Sequence, residues 1–225
     1  MTEGSRDRYP PTPRTRIRRV ADLGRYDRET VHRILDDGLV CHVGIVADGQ
    51  PYVVPMAYGR DGDRLLLHGS VAGRLLGHLK DGARVCVTVT HVDGLVLARS
   101  GFSSSMNYRS VMVLGRAREI VDPAEKARAL DLLADHLAPG RSLEHRAPNP
   151  KELAATTVLE LPLEEVSAKE RTGPPKDLAA DLGLPIWAGV LPLRLTPGEP
   201  EPAPDLPDGI EVPPSVRGWR RTDPS

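Results

Sequence analysis

Two cysteines in 225 residues, Cys41 and Cys86, are too few for a disulfide framework, and neither stands at metal-ligand spacing from other donors. Both sit inside apolar, strand-like runs and are expected to be buried free thiols. The N-terminus has no apolar leader segment, and no stretch approaches the roughly 18 apolar residues that a membrane span needs. A cytoplasmic protein with no membrane partner is therefore expected. A large excess of either charge is also missing: 30 Lys and Arg against 31 Asp and Glu leave a formal net charge of -1. That balance argues against a nucleic-acid footprint across the domain. There is no GxGxxG loop, no Walker loop and no internal repeat.

What is present is a run of short apolar segments separated by tight turns. Residues 25–37 read as a helix, with Asp27 as N-cap, Val31, Ile34 and Leu35 on one face, and Gly38 as its stop. Residues 39–46, 51–58 and 64–68 then read as three strands of a meander. Ser70 is expected to cap a helix carrying Leu75, Leu76 and Leu79. Residues 84–91, extended by 95–99, and 108–120 read as further strands, with a bulge or bend at Gly115. Pro123 opens a helix over 124–137, and 156–161 and 166–171 read as the last strands. Strands in hairpin order with helices in the crossovers predict an antiparallel small barrel, mainly β with added helices, and not a doubly wound parallel sheet. Residues 1–24 are expected to form a flexible basic arm, 25–195 the folded domain, and 196–225 a Pro-rich disordered tail, because both ends have few large apolar residues to bury. The cluster Arg14, Arg16, Arg18 and Arg19 is either solvated, laid across a partner subunit, or in touch with an anionic partner.

Three segments concentrate polar chemistry. At His68-Gly69-Ser70 a strand turns into a helix that carries Arg74, an arrangement that suits a phosphate or is an ordinary strand-to-helix connection with a surface Arg. Ser103, Ser104, Ser105, Asn107, Arg109 and Ser110 either satisfy one another and the backbone or face a polar planar ligand. Lys169 and Arg171 alternate on one strand face, solvated or facing an anion. Trp187 follows, to cover a ring edge or to plug the barrel or a subunit seam.

Taken together, the segments LLLHGSVAGRLLGHLKDGARVCVTVT, DGLVLARSGFSSSMNYRSVMVLGRAREI and SAKERTGPP…IWAGVLPL resemble the pyridoxamine 5'-phosphate oxidase-like flavoproteins, in the branch that includes the nitroimidazole-resistance flavoproteins. The resemblance spans about residues 25–193 with the three motifs in order. It implies an FMN-binding split β-barrel, a homodimer with the flavin at its interface, and a small-molecule substrate. By position it implies that Val54, Pro55 and Met56 lie along the flavin ring, largely through backbone. It also implies that His68, Gly69, Ser70 and Arg74 hold the FMN phosphate and ribityl chain. Arg109 and Ser110 would approach the flavin from the partner, and Lys169, Arg171 and Trp187 would line the outer pocket.

Two departures stand out. Leu75 replaces a second basic residue common in relatives, and Ser103 and Ser104 stand where close relatives often have histidine. No substrate-phosphate cluster near the C-terminus matches that of the vitamin-synthesising members, so pyridoxal phosphate synthesis is not expected. The expected function is an FMN-dependent oxidoreductase acting on a small planar molecule, with no residue singled out as catalytic. The alternative is a non-catalytic flavin- or haem-binding protein on the same barrel, with His42, His68, His78 and His91 as possible haem ligands; a third reading is a structural dimer without a cofactor.

Overall fold

The computed structural model describes residues 7–220. Two acidic N-caps start its longest helices. Asp27 accepts from the Thr30 amide at 2.8 Å ahead of α1 (Arg28–Asp37), and Asp122 accepts from the Glu125 amide at 2.8 Å ahead of α3 (Pro123–Leu137), whose Pro123 fits the first turn. Between and after them run β1 (Gly24–Arg25), β2 (Val40–Ala47), β3 (Gln50–Asp61), β4 (Arg64–Ser70), α2 (Arg74–Lys80), β5 (Arg84–Leu97), β6 (Ser105–Arg116) and β7 (Arg118–Glu119). The last elements are α4 (Pro150–Ala155), β8 (Thr156–Pro162), β9 (Glu165–Arg171), β10 (Gly189–Pro192) and α5 (Pro214–Arg217).

The strands form one antiparallel sheet in the order β1-β9-β6-β5-β2-β3-β4-β8-β7, with β10 added to β5. Alternation sets its inside: Cys41, Val43 and Ile45 of β2, Val85, Val87 and Val89 of β5, Val111 and Val113 of β6, and Val166 and Ala168 of β9 all enter one core. Each of these valines, and Ile45, stabilises the fold by about 1.5–3 kcal/mol relative to exposure. β4 is buried on both faces. Leu65 and Leu67 point to the barrel core, while Leu66 packs with Ile120, Ala129, Leu133 and Val158 beneath α3.

β6 and β8 approach without forming a ladder, so the barrel is split there. Gly115 serves that approach: a Cβ on it would stand 2.9 Å from Leu161 Cδ1. Its pairing with Val85 is regular, and the bulge expected at Gly115 lies instead between Val92 and Gly94. There β5 leaves β2, and its outer part pairs with β10.

The ends differ from the expectation of a loose arm and a disordered tail. Tyr9 is only 1% exposed; its hydroxyl donates to Asp63 Oδ1 at 3.0 Å and shares a 2.9 Å hydrogen bond with His32 Nε2. The Tyr9 amide donates to Tyr26 O at 2.8 Å, and Thr15 is buried as well. One well-placed aromatic ring anchors a segment whose average composition is polar. Within the basic cluster, Arg14 pairs with Glu165. Residues 191–212 are exposed throughout, yet α5 docks beyond them: the Ser215 amide donates to Glu144 Oε1 at 3.1 Å, and Trp219 Nε1 donates to Leu137 O at 2.8 Å. The remainder of both expected end segments, 1–6 and 221–225, lies outside the described residues. No helix of the described residues is long and apolar enough to cross a membrane.

Candidate functional site

β3 follows β2 along its first eight residues, but it pairs with β4 only from Tyr58↔Leu67 to Asp61↔Arg64. Past that point β4 stays on β8 through His68↔Val158, Gly69↔Thr157 and Ser70↔Thr156, and the edge of β3 is left unpaired. Pro55, which has no N–H to donate, belongs to this unpaired stretch. The parting forms a slot with Val54, Pro55 and Met56 on one wall and His68, Gly69 and Ser70 on the other. The first two are exposed, and Met56 is half-buried against the core.

Two glycines shape the wall on the β4 side. A Cβ at Gly69 would come within 2.8 Å of Leu76 Cδ1, so any larger residue there would push the Leu76 side chain of α2 aside. Gly73 is the N-cap of α2, and a Cβ there would meet Ser70 O at 3.0 Å. The Ser70 cap expected for this helix is not formed. Its hydroxyl accepts from the Ala72 amide at 3.2 Å, and no side chain caps α2, which starts only at Arg74. Arg74 is exposed and lies over the Tyr52 ring, with Cζ 4.7 Å from the centroid. Leu75, in place of a second basic residue, packs against the core.

His68 is half-buried, and its Nδ1 is fully shielded without a hydrogen-bond partner. Burial pushes its pKa below the ordinary 6.5 and favours the neutral ring. Of the other histidines considered for haem, His91 Nε2 donates to Ile34 O at 2.9 Å, His42 is exposed opposite Pro55 and Thr88, and His78 is half-buried on α2.

The remaining expected residues lie elsewhere in the chain. Arg109 is buried with each of its three nitrogens engaged: Nε and Nη2 each stand 3.0 Å from the Asp93 carboxylate, and Nη1 is 2.6 Å from Asp37 Oδ2. Burial works against its charge, but the hydrogen bonds it donates to Asp93 and Asp37 outweigh it and raise the pKa. Within its own chain Arg109 thus serves as a structural cation that bridges Asp93 and Asp37. Ser110 points to the other face of β6, opposite Lys169, and Arg171 Nη1 donates to Asn107 Oδ1 at 2.6 Å. Trp187 is 67% exposed before β10, close over Gly189, beside the outer part of β5. The serine cluster turns inward on itself: Ser104 Oγ accepts from the Ala98 amide at 3.0 Å and donates to Ser100 O at 3.2 Å, while Ser100 Oγ accepts from the Ser103 amide.

Sequence reasoning missed Tyr52, which ties Arg74 to β3 and lines a cavity of about 930 Å³ at the same end of the barrel. The exposed aromatic before Val53 and Val54 was its only signal.

An antiparallel barrel split along one seam and parted beside a glycine-bounded short helix defines the split-barrel class. The chain belongs to the pyridoxamine 5'-phosphate oxidase family, whose model matches residues 27–170. Among solved structures it is similar to the flavocytochrome Anf3 from Azotobacter vinelandii, at 43% identity and a TM-score of 0.89, covering 95% of this chain and 100% of that one. It is also similar to the FAD and haem binding protein from Mycobacterium smegmatis, at 41% identity and a TM-score of 0.85, covering 88% of this chain and 98% of that one. A candidate 5-nitroimidazole antibiotic resistance protein from Bacteroides thetaiotaomicron is 29% identical with a TM-score of 0.55, covering 64% of this chain and 83% of its own. A comparison with curated proteins gives no match.

Proposed function

We propose that this chain is a redox protein that binds a flavin nucleotide in the slot between β3 and β4 and carries a haem as well. The observation that carries the reading is the parting itself. It gathers the backbone of Val54, Pro55 and Met56, the glycine-shaped turn at Gly69, and the cation of Arg74 around one opening. These groups fit a flavin nucleotide: exposed backbone for the edge of a planar ring, and a guanidinium for a phosphate shared by FMN and FAD. The haem rests on the two relatives above 40% identity, one called a flavocytochrome and the other an FAD and haem binding protein. His68 is the histidine that suits a second role, because it stands on the wall of the slot and burial favours its neutral ring, the form a metal ligand requires. When bound, such cofactors supply the electron transfer, while the chain supplies binding, orientation and exclusion of water. Pyridoxal phosphate synthesis is not proposed.

A homodimer completes the site in this reading. The outer faces of β2 and β3 expose Val40, Val46, Val53 and Pro55 in neighbouring register, an apolar surface that a second copy would cover. Ser110, Lys169 and Arg171, on the outward face of β6 and β9, are the groups proposed to reach a flavin held by the partner.

The test is the absorbance spectrum of freshly purified protein, the mass of whatever it releases on denaturation, and its sedimentation. Flavin bands with a Soret band from a dimer are expected, and His68→Ala should lose the Soret band while keeping the flavin. Protein that takes up neither cofactor on reconstitution, or a monomer that holds a full equivalent of flavin, would overturn the reading.

A further inference from the structure

Arg84 and Arg116 stand directly opposite each other in the β5–β6 ladder. Like charges in that relation repel and weaken a sheet unless a counter-charge lies between them. Both side chains are exposed, and among the described residues neither makes an ion pair or a hydrogen bond. Arg118, two residues further on, is likewise unpaired, because Glu160 opposite it is engaged by Arg64. The other acids at this end are largely spoken for: Glu165 pairs with Arg14, and Glu119 stands 2.8 Å from Lys80. Glu164 alone among the cavity's acids has no basic partner.

All three arginines line the cavity of about 930 Å³, a volume suited to a small ligand. Pro51 and Tyr52, at the start of β3, line the same cavity. Tyr52 also carries Arg74 on its ring, so the cavity adjoins the slot between β3 and β4. The cavity thus combines an unneutralised guanidinium pair with an aromatic ring in one lining. A fork of two arginines suits the oxygens of a diphosphate, and the ring suits a planar base.

We propose that this end of the barrel binds the diphosphate of a nucleotide, with Arg84 and Arg116 as its clamp and Tyr52 beside the base. Two sources share this chemistry: the adenosine diphosphate half of an FAD whose flavin lies in the neighbouring slot, which rests on the flavin reading above, and a free nucleoside diphosphate, which does not.

The experiment titrates the full chain and its Arg84→Gln/Arg116→Gln variant with ADP, adenosine, FAD and FMN. ADP should bind the unaltered chain at least tenfold more tightly than adenosine. The double variant should lose ADP and FAD affinity by tenfold or more, while FMN affinity stays within twofold. The ligand-free variant should melt at or above the temperature of the unaltered chain, because the repulsion is gone. Competition between FAD and ADP identifies the dinucleotide as the source, and simultaneous binding identifies a free nucleotide. A chain that binds ADP through these arginines but no flavin defeats the flavin reading and leaves this site standing. ADP affinity unchanged in the variant overturns the site, as does an equal loss of FMN. A variant that dissociates into monomers with its ADP affinity intact assigns the arginines to the subunit interface and overturns it too.

Discussion

The guanidinium of Arg74 rests over the ring of Tyr52, 4.7 Å from its centroid, and so ties the first residue of α2 to the start of β3. The contact crosses the place where β3 and β4 have separated, so it holds a cation at the mouth of the slot without consuming its hydrogen bonds. A cation–π contact at an exposed position contributes about 0.5–1 kcal/mol, enough to orient the side chain and little more.

The first prediction follows from that geometry. Arg74→Ala should weaken FMN binding roughly ten- to hundredfold, the loss of a charge-assisted contact of about 1.5–3 kcal/mol, and leave riboflavin, which has no phosphate, nearly unchanged. Tyr52→Leu should cost FMN only a few-fold, because the cation stays but loses its rest. Fluorescence titration of both ligands decides the matter. Equal losses for FMN and riboflavin in Arg74→Ala would remove the phosphate from this end of the slot.

Arg109 makes the opposite case. Its side chain is 7% exposed and bridges Asp37 and Asp93, themselves 8% and 14% exposed. Truncating one member of a buried ionic group leaves uncompensated charge and typically costs about 3–5 kcal/mol. Arg109→Ala should therefore shift the urea midpoint strongly, while the fraction that remains folded binds riboflavin with unaltered affinity. A variant of normal stability that has lost riboflavin would restore Arg109 to the flavin.

Local chemistry made much of this fold legible in the sequence. Asp27, Asp122 and Pro123 mark helix starts through contacts within three residues, and the alternating valines of β5 declare a strand with one buried face. The turn at His68–Arg74 was equally visible, since its glycines and Arg fall within seven residues. Long-range pairing hid the rest. Arg109 reaches Asp37 across 72 positions and Asp93 across 16, so nothing near Arg109 distinguishes a structural cation from a ligand contact. The bulge lies between Val92 and Gly94 and not at Gly115, at the point where β10, distant in sequence, takes over one edge of β5. Both glycines avoid a clash, Gly115 with Leu161 and Gly94 with the β10 backbone, and sequence alone does not say which clash accompanies a bend.

Tyr9 supplies the third prediction. It is a large, fully buried ring near the end of the chain, hydrogen-bonded to Asp63 and His32. Tyr9→Ala should destabilise the protein by about 3–5 kcal/mol, the usual range for removing a buried aromatic side chain. Tyr9→Phe should cost about 1 kcal/mol, because Asp63 keeps Arg28 and only the hydroxyl's bonds are lost. Deleting residues 1–20 should cost at least as much as Tyr9→Ala. A truncated chain with an unchanged denaturation midpoint would show that the ring contributes no net stability.

The last prediction concerns acid and His68. Burial holds its pKa in the folded state below the ordinary 6.5, and nothing accepts from or donates to Nδ1. In the unfolded chain the same ring protonates near pH 6.5, so below that pH the unfolded state binds more protons than the folded one. Stability must then fall as the pH drops through 6.5 and keep falling until the folded-state pKa is reached. Above 6.5 this contribution vanishes. His32 and His91 carry the same sign, because burial is the largest cause of lowering for each. The ligand-free protein should accordingly lose stability between pH 7 and pH 5, with each histidine adding at most about 1.4 kcal/mol per pH unit. His68→Gln removes one of the three, so its urea midpoint should fall less steeply over the same interval. A slope equal to that of the unaltered chain would mean that His68 gains its proton as readily in the folded protein as in the unfolded one. Its nitrogen would then already be satisfied, and His68 could no longer be counted as the neutral ligand waiting at the slot.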